Sequence, residues 1–315
     1  MKKLIISILL LLTIGFIFTN YSSLMRFAME KIVYKDEQLV KDNNIYYKEN
    51  NWSYVQLTDN FYPKKEQDIL NLFYTALDGG WSELTYYCTE EFPDCIKYTE
   101  KIVKDNYILS NINNFVATYN SYNKIYVNYN TLGRVYVTFE KIYSKKQIEL
   151  IDQKIDEIIS EIITYNMSDN MSDREKIKAV HDYIINHTRY DEEHANAIKN
   201  GLNEDTPSAS NTAYGVLFNG KAICSGYTDA MALFLDKLGF KNYKIFSPKH
   251  TWNCVFVDGS WRHLDLTWDD PVTSNGEDRL EYNFFLITDD ELEEKNTGQH
   301  NYDRTIYVEL NEKTA

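Results

Sequence analysis

Asp258-Gly259 stands between two runs rich in apolar residues, Thr251 to Val257 and Ser260 to Thr267. A two-residue Asp-Gly link is a favoured hairpin turn, because both central residues must take positive φ and these two tolerate it. The pair therefore predicts two antiparallel strands in a defined register. Val257 then faces Ser260, Trp252 faces Asp265, and His250 faces Thr267. In that register His250 and Asp265 are diagonal neighbours on one face of the ribbon, within side-chain reach. A three-residue turn would shift the register and send them to opposite faces, so the juxtaposition rests on the turn type.

Upstream, Ala222-Ile223-Cys224-Ser225-Gly226-Tyr227 leads into an amphipathic pattern from Ser225 to Leu238. Ala230, Leu233, Phe234 and Leu238 point inward, and Gly239 stands just past the end as a stop. Cys224 is thereby set at a helix N-terminus, where unpaired N–H groups and the positive end of the macrodipole favour an anion. The same N–H groups can hold the oxyanion formed when a carbonyl is attacked. Gly226 allows substrate or neighbouring backbone to approach closely. Each residue alone has a plain structural reading: a buried cysteine, a histidine starting a strand, an aspartate opening a turn. Together, a thiol, an imidazole and a carboxylate are the set nucleophilic thiol catalysis requires.

Tyr214-Gly215-Val216-Leu217 leads into Gly220 to Tyr227, followed by His250-Thr251-Trp252-Asn253 and then Trp261 to Pro271. With Val180-His181-Asp182-Tyr183-Ile184 and Tyr190-Asp191, these segments resemble the transglutaminase-like superfamily of papain-type thiol enzymes. The likeness covers roughly residues 174 to 290. It implies an α+β fold with a papain/transglutaminase-like catalytic core, the nucleophile at a helix N-terminus packed on an antiparallel sheet. It also implies Cys224 as nucleophile, His250 as general base and acid, Asp265 as orienter, and no cofactor. Such domains usually carry an oxyanion-stabilising tryptophan or glutamine upstream of the nucleophile. Tyr214 stands at that place here, and its hydroxyl can donate. Trp252 and Trp268 are expected as cleft walls, with Gly226 beside them. The implied reaction is acyl transfer from a peptide or side-chain amide. Water as acceptor gives a protease or amidase, and a lysine amine gives a crosslink. The alternative is a catalytically silent scaffold in envelope assembly or cell division, against which the complete set of three residues counts.

Lys2-Lys3 precede an apolar run from Leu4 to Phe18, and polar residues follow. This is the pattern of an export signal, cleaved or retained as an anchor, over residues 1–23. The lysines favour the inner side, so the remainder is expected at the cell surface or outside, with any membrane contact made through this segment. A net charge of −14 without a basic stripe argues against nucleic acid as a partner. The partners expected instead are a protein or peptide substrate and a cell-envelope component. The 26 tyrosines read as compositional bias suited to half-buried strands. Of the cysteines, Cys88 and Cys95 are near enough in sequence to pair, and Cys254 reads as a small buried hydrophobe.

Residues 24–166 read as a separate α+β domain of unassigned role. Lys64 to Leu77 and Ile96 to Tyr107 are expected helices, Asn50 to Leu57 an extended segment, and Leu84 to Cys88 a strand. Ile125 to Tyr129 and Arg134 to Ile142 form a hairpin around Asn130 to Gly133. Gln147 to Tyr165 repeats isoleucine at helical spacing. A polar stretch from Asn166 to Asp173 marks the junction with a second domain, 174–315, whose first helix starts at a Ser172/Glu175 capping box. His181 and His187 on that helix stand about 240° apart. Neither H-E-x-x-H nor paired C-x-x-C is present, so no metal is expected.

Overall fold

The computed structural model describes residues 2–21, 23–24, 39–40, 54–55, 61–166, 171–201, 208–272, 279–307 and 310. Most of the extended segment expected from Asn50 to Leu57, and residues 167–170 of the expected junction, lie outside the described residues. The first helix is Lys2–Thr19 (α1). At ~1.5 Å per residue its 18 residues reach about 27 Å, short of the ~30 Å hydrocarbon core of a bilayer. Among the described residues no helix is long and apolar enough to cross a membrane. Leu39–Val40 (β1) and Tyr54–Val55 (β2) form a small antiparallel pair.

The chain divides into two compact units. The first comprises Met1–Asp42, Trp52–Ile112 and Lys124–Glu140; the second comprises Asn43–Asn51, Asn113–Asn123 and Lys141–Ala315. In the first unit, Glu66–Asp78 (α2) buries Ile69, Leu72, Phe73 and Leu77. Its start is fixed by the Asp68 carboxylate, which accepts the N–H groups of Lys64 and Lys65 at 2.9 and 3.3 Å. Gly80, at φ 68, turns the chain out of the helix. The sheet follows from Glu83–Tyr87 (β3), Tyr122–Tyr129 (β4) and Arg134–Lys141 (β5), in the order β3-β5-β4. Leu84, Tyr86, Val135, Val137 and Phe139 alternate onto the buried face, and Phe73 meets Phe139 edge-on at 5.8 Å. The helix expected from Ile96 to Tyr107 is two helices, Cys95–Lys104 (α3) and Asn106–Asn113 (α4). Asp105 takes extended geometry between them and accepts the N–H groups of Tyr107 and Ile108, which starts a new helix there. A disulfide joins Cys88 to Cys95.

The second unit is α+β as well. Lys145–Asn166 (α5) and Asp173–His187 (α6) contribute Ile151, Ile155, Ile158, Ile177, Val180 and Ile184 to one core. That core also takes Ala230, Met231 and Phe234 from Cys224–Lys237 (α8), with Glu192–Lys199 (α7) preceding it. The isoleucine stripe of α5 has its partners in this core, and the longest segment of this unit is Lys141–Ala315. The capping box at Ser172 and Glu175 is formed reciprocally.

Arg189–Tyr190 (β6) pairs in parallel with Lys221–Ala222 (β7). The main sheet is antiparallel in the order β11-β10-β9-β8, from Asn242–Ser247 (β8), His250–Val257 (β9), Ser260–Leu264 (β10) and Phe285–Ile287 (β11). Val257 faces Ser260 and Asn253 faces Leu264, the register that a two-residue turn requires. Asp258 and Gly259 take φ 54 and 77, as type I′ geometry demands. The second strand is shorter than its apolar run suggests. It stops at Leu264, and Leu266–Asp269 (α9) forms a single helical turn capped by Asp265, followed later by Asp289–Lys295 (α10).

Candidate active site

Cys224 is the first residue of α8, preceded by Ile223 in extended conformation. It is a free thiol of intermediate exposure. The helix start is pressed against the 210–212 segment: Ile223 N–H donates to the Ser210 carbonyl at 2.8 Å. A Cβ added at Gly226 would come within 2.6 Å of that same Ser210 oxygen and 2.9 Å of the Ala222 Cβ. Gly226 is therefore required for packing of protein on protein. It is buried, and it is not part of the cleft lining as the sequence had suggested.

Polar groups fix the helix to the strand that carries the histidine. The Thr228 hydroxyl lies 2.8 Å from the Cys224 carbonyl oxygen and 3.0 Å from that of Thr251. The Asn253 amide donates to the Thr228 carbonyl at 3.0 Å. Deeper along the same helix, Asp229 receives Lys244 of β8 at 3.1 Å and the Tyr143 hydroxyl at 2.9 Å. Thr228, Asn253, Asp229 and Lys244 are buried, so separating helix and sheet would leave unsatisfied polar groups.

His250 opens β9, with its N–H donated to Ser247 Oγ at 3.0 Å. Its Nε2 lies 2.6 Å from Asp265 Oδ2. Cys224 acts on the ring as a polar and charged neighbour across the shared groove, and with Nε2 taken by Asp265 the nitrogen left to face it is Nδ1. Burial opposes a charged ring, but the Asp265 carboxylate and the Cys224 sulfur outweigh it, and the His250 pKa is pushed up to about 10. Asp265 is equally well held. Its Oδ1 accepts the N–H groups of Thr267 and Trp268 at 3.0 and 3.3 Å, and its Oδ2 accepts from two imidazoles. Against the cost of burial, His250 and His300 hold this carboxyl well below the usual carboxylate range.

The second imidazole is His300, 2.8 Å from Asp265 Oδ2 through Nε2, and nothing in the local sequence singles it out. The donor atoms of His250, Asp265 and His300 lie within 4.8 Å of one another, close enough in number and type to suggest a cation. Contacts of 2.6 and 2.8 Å are hydrogen bonds, and an ion held at ~2.0 to 2.2 Å from each donor would need the groups to move apart.

A groove of about 990 Å³ opens over Cys224 and His250, walled by Tyr190, Ile198, Trp268 and Val272. Trp268 thus lines the cleft as the sequence suggested. Trp252 does not. It is 1% exposed, lies 5.7 Å from the His250 ring at 15°, and donates from Nε1 to His263 Nδ1 at 3.0 Å. It is a platform behind the imidazole, because residues two apart on a strand share a face. Tyr214 is also displaced from its expected part. It stacks on Phe218 at 4.6 Å and is not among the groove residues. The tyrosine beside the sulfur is Tyr190, brought there by the β6–β7 pairing that sets it opposite Ala222. Burial and the charge of Cys224 push its phenol up to about 12, so it keeps its proton as a hydrogen-bond donor.

No curated protein matches the chain. A solved structure described as a TGase is 21% identical, covering 50% of this chain and 47% of its own, with a TM-score of 0.37. The present chain thus spans about half the length of that protein. A candidate cysteine protease from Cytophaga hutchinsonii is 13% identical over 50% of this chain and 65% of its own, with a TM-score of 0.27. The family model of the transglutaminase-like superfamily matches residues 161–266, which run from the end of α5 through Cys224 and His250 to just past Asp265. Residues 161–266 of this chain thus match a transglutaminase-like domain.

Proposed function

We propose that this protein is an exported cysteine-dependent acyl-transfer enzyme acting on peptide or side-chain amides. One observation carries the reading: an imidazole bonded to a buried carboxylate, with a free thiol beside it on the wall of the same open groove. In the reaction, the Cys224 Sγ, its proton held by His250 Nδ1, attacks the amide carbonyl carbon. The oxyanion is stabilised by the N–H groups at the start of α8 and by the Tyr190 hydroxyl. His250 then gives its proton to the departing amine as the C–N bond breaks, leaving a thioester on Cys224. Water or a primary amine attacks that thioester, His250 takes the incoming nucleophile's proton as base, and the C–S bond breaks to release the acid or amide and return Cys224 as a thiolate beside the protonated ring. Asp265 keeps the ring oriented and stabilises its charged form throughout.

Export is supported by the basic, then apolar, N-terminal segment and by the Cys88–Cys95 disulfide, which suits an oxidising compartment. The test is incubation with a glutaminyl peptide and a primary amine, followed by mass spectrometry. Wild-type protein is expected to yield hydrolysed or amine-linked peptide, and Cys224→Ala none. Equal product from both would overturn the proposal.

A further inference from the structure

We infer that His300 is a positioning residue for the Asp265–His250 pair, so that the thiol works with two histidines on one carboxylate oxygen. This rests on the catalytic reading above. The geometry is specific. His250 Nε2 and His300 Nε2 converge on the same atom, Asp265 Oδ2, at 2.6 and 2.8 Å. The other oxygen is occupied by the N–H groups of Thr267 and Trp268. Four donors around one buried carboxylate leave it no freedom to rotate and spread its charge between two rings.

The tautomer of His300 is set from its far side. The Thr297 hydroxyl is hydrogen-bonded to His300 Nδ1, and donation there leaves the proton on Nε2, facing Asp265. The ring is also fixed in space. Phe284 stacks on it at 5.0 Å and 12°, while Trp252 and Trp268 meet it edge-on at 4.8 and 5.1 Å. Trp252 in turn stacks on His250, so the two imidazoles share one aromatic wall. His300 does not line the substrate groove. It borders a separate polar cavity of about 340 Å³ with Thr297, Glu293 and Arg304. It therefore acts through Asp265 and not on the substrate. Among the described residues Asp265 is the one acidic group bonded to it, and Arg304 is engaged by Asp289 and Glu293. His300 also lies beyond the segment that matches the family model, so it is a contribution of this chain's own C-terminal region.

The experiment needs no knowledge of the substrate. The rate of Cys224 alkylation by iodoacetamide is measured against pH for wild type, His250→Ala, His300→Ala, His300→Gln and Thr297→Val, with folding checked by circular dichroism. Glutamine sets an amide N–H near the position of Nε2 and should rescue. His300→Ala is expected to slow alkylation about tenfold near neutral pH and move the acid limb of the profile to higher pH. His300→Gln should stay within about threefold of wild type, and Thr297→Val should fall between. If His300→Ala matches wild type, or alanine and glutamine are equally impaired, the positioning role is overturned. If His300→Ala does not fold, Thr297→Val decides by the same criteria. Should His250→Ala alkylate as fast as wild type, it is the catalytic reading itself that fails.

Discussion

Two buried histidines of the second unit face carboxylates only four residues apart, and they have different surroundings. His250, at the start of β9, meets Asp265. His181, in the middle of α6, meets Asp269 at 3.2 Å and Asp182 at 3.0 Å. Both rings are almost wholly buried, and burial opposes charge on each, yet neighbouring carboxylates raise the pKa of both. What separates them is the second ring nitrogen. In His250 it is left to face the groove that Cys224 also lines, whereas in His181 it meets another carboxylate. Tyr282 and Phe285 cover the His181 ring at 5.5 and 5.1 Å, so nothing that could react reaches it. A buried histidine–carboxylate pair is thus not by itself a mark of catalysis. The carboxylates differ in the same sense. Four donors hold the Asp265 carboxyl far down, whereas burial leaves Asp269 raised despite His181 and the Phe284 N–H.

Removing each ring gives the largest separation between the two. His250→Ala should cut turnover on an amide substrate by about 10⁴-fold or more while the protein remains folded. His181→Ala should leave turnover per folded molecule within about threefold but cost roughly 3 kcal/mol of stability, because Asp269 is left buried without its partner. Paired measurements of kcat and urea unfolding distinguish the two outcomes. Equal loss of activity in both variants would mean that the α6 pair belongs to the reaction.

The two tyrosines offer the next contrast. Tyr190→Phe removes a hydroxyl beside the sulfur and should slow acylation about a hundredfold, the usual cost of losing one oxyanion donor. Tyr214→Phe removes a hydroxyl from a ring stacked on Phe218 away from the groove, and should change the rate less than about twofold. Single-turnover acylation kinetics measure both. The reverse ranking would return the oxyanion role to Tyr214.

How far these residues were legible follows from the range of the interactions that position them. The hairpin could be read because Asp258-Gly259 sets a local turn, and that turn fixes the strand register as far as Asn253 and Leu264, which brings His250 and Asp265 to the same end of the ribbon. The helix under Cys224 could be read from its 3.6-residue period. The end of β10 was not legible: whether Asp265 continues a strand or caps a turn depends on its carboxylate capturing the N–H groups of Thr267 and Trp268. Trp252 was open to a better reading, since it shares the face of His250 by strand alternation and so lies behind it. Tyr190 and His300 were beyond reach. One is placed by a two-residue parallel pairing across 32 positions (Tyr190 opposite Ala222), and the other by a segment with no periodicity after α10.

The smallest effect expected, and the most direct measure of the charge on His250, is the dependence of stability on pH. Its folded pKa lies near 10, above the ~6.5 of an unfolded histidine. The folded state therefore holds a proton that the unfolded chain has already released between these values. That stabilisation is complete below about pH 6.5 and disappears as pH rises through about 10. Asp265 acts with the opposite sense at the acid end: its depressed pKa stabilises the fold above ~4, and the gain is lost only in strong acid. Thermal midpoints of wild type should thus fall by several degrees between pH 7 and 10, and those of His250→Gln by less, since glutamine carries no proton to lose. His181→Gln serves as the control on the other pair, whose raised histidine also stabilises below ~6.5. Because Asp269 is raised rather than lowered, its carboxylate costs stability above its own pKa, and acidification should relieve that cost. On the acid side the two regions should therefore diverge in sign and in range, the Asp269 contribution improving as pH falls towards ~4 and that of Asp265 being lost only below ~4.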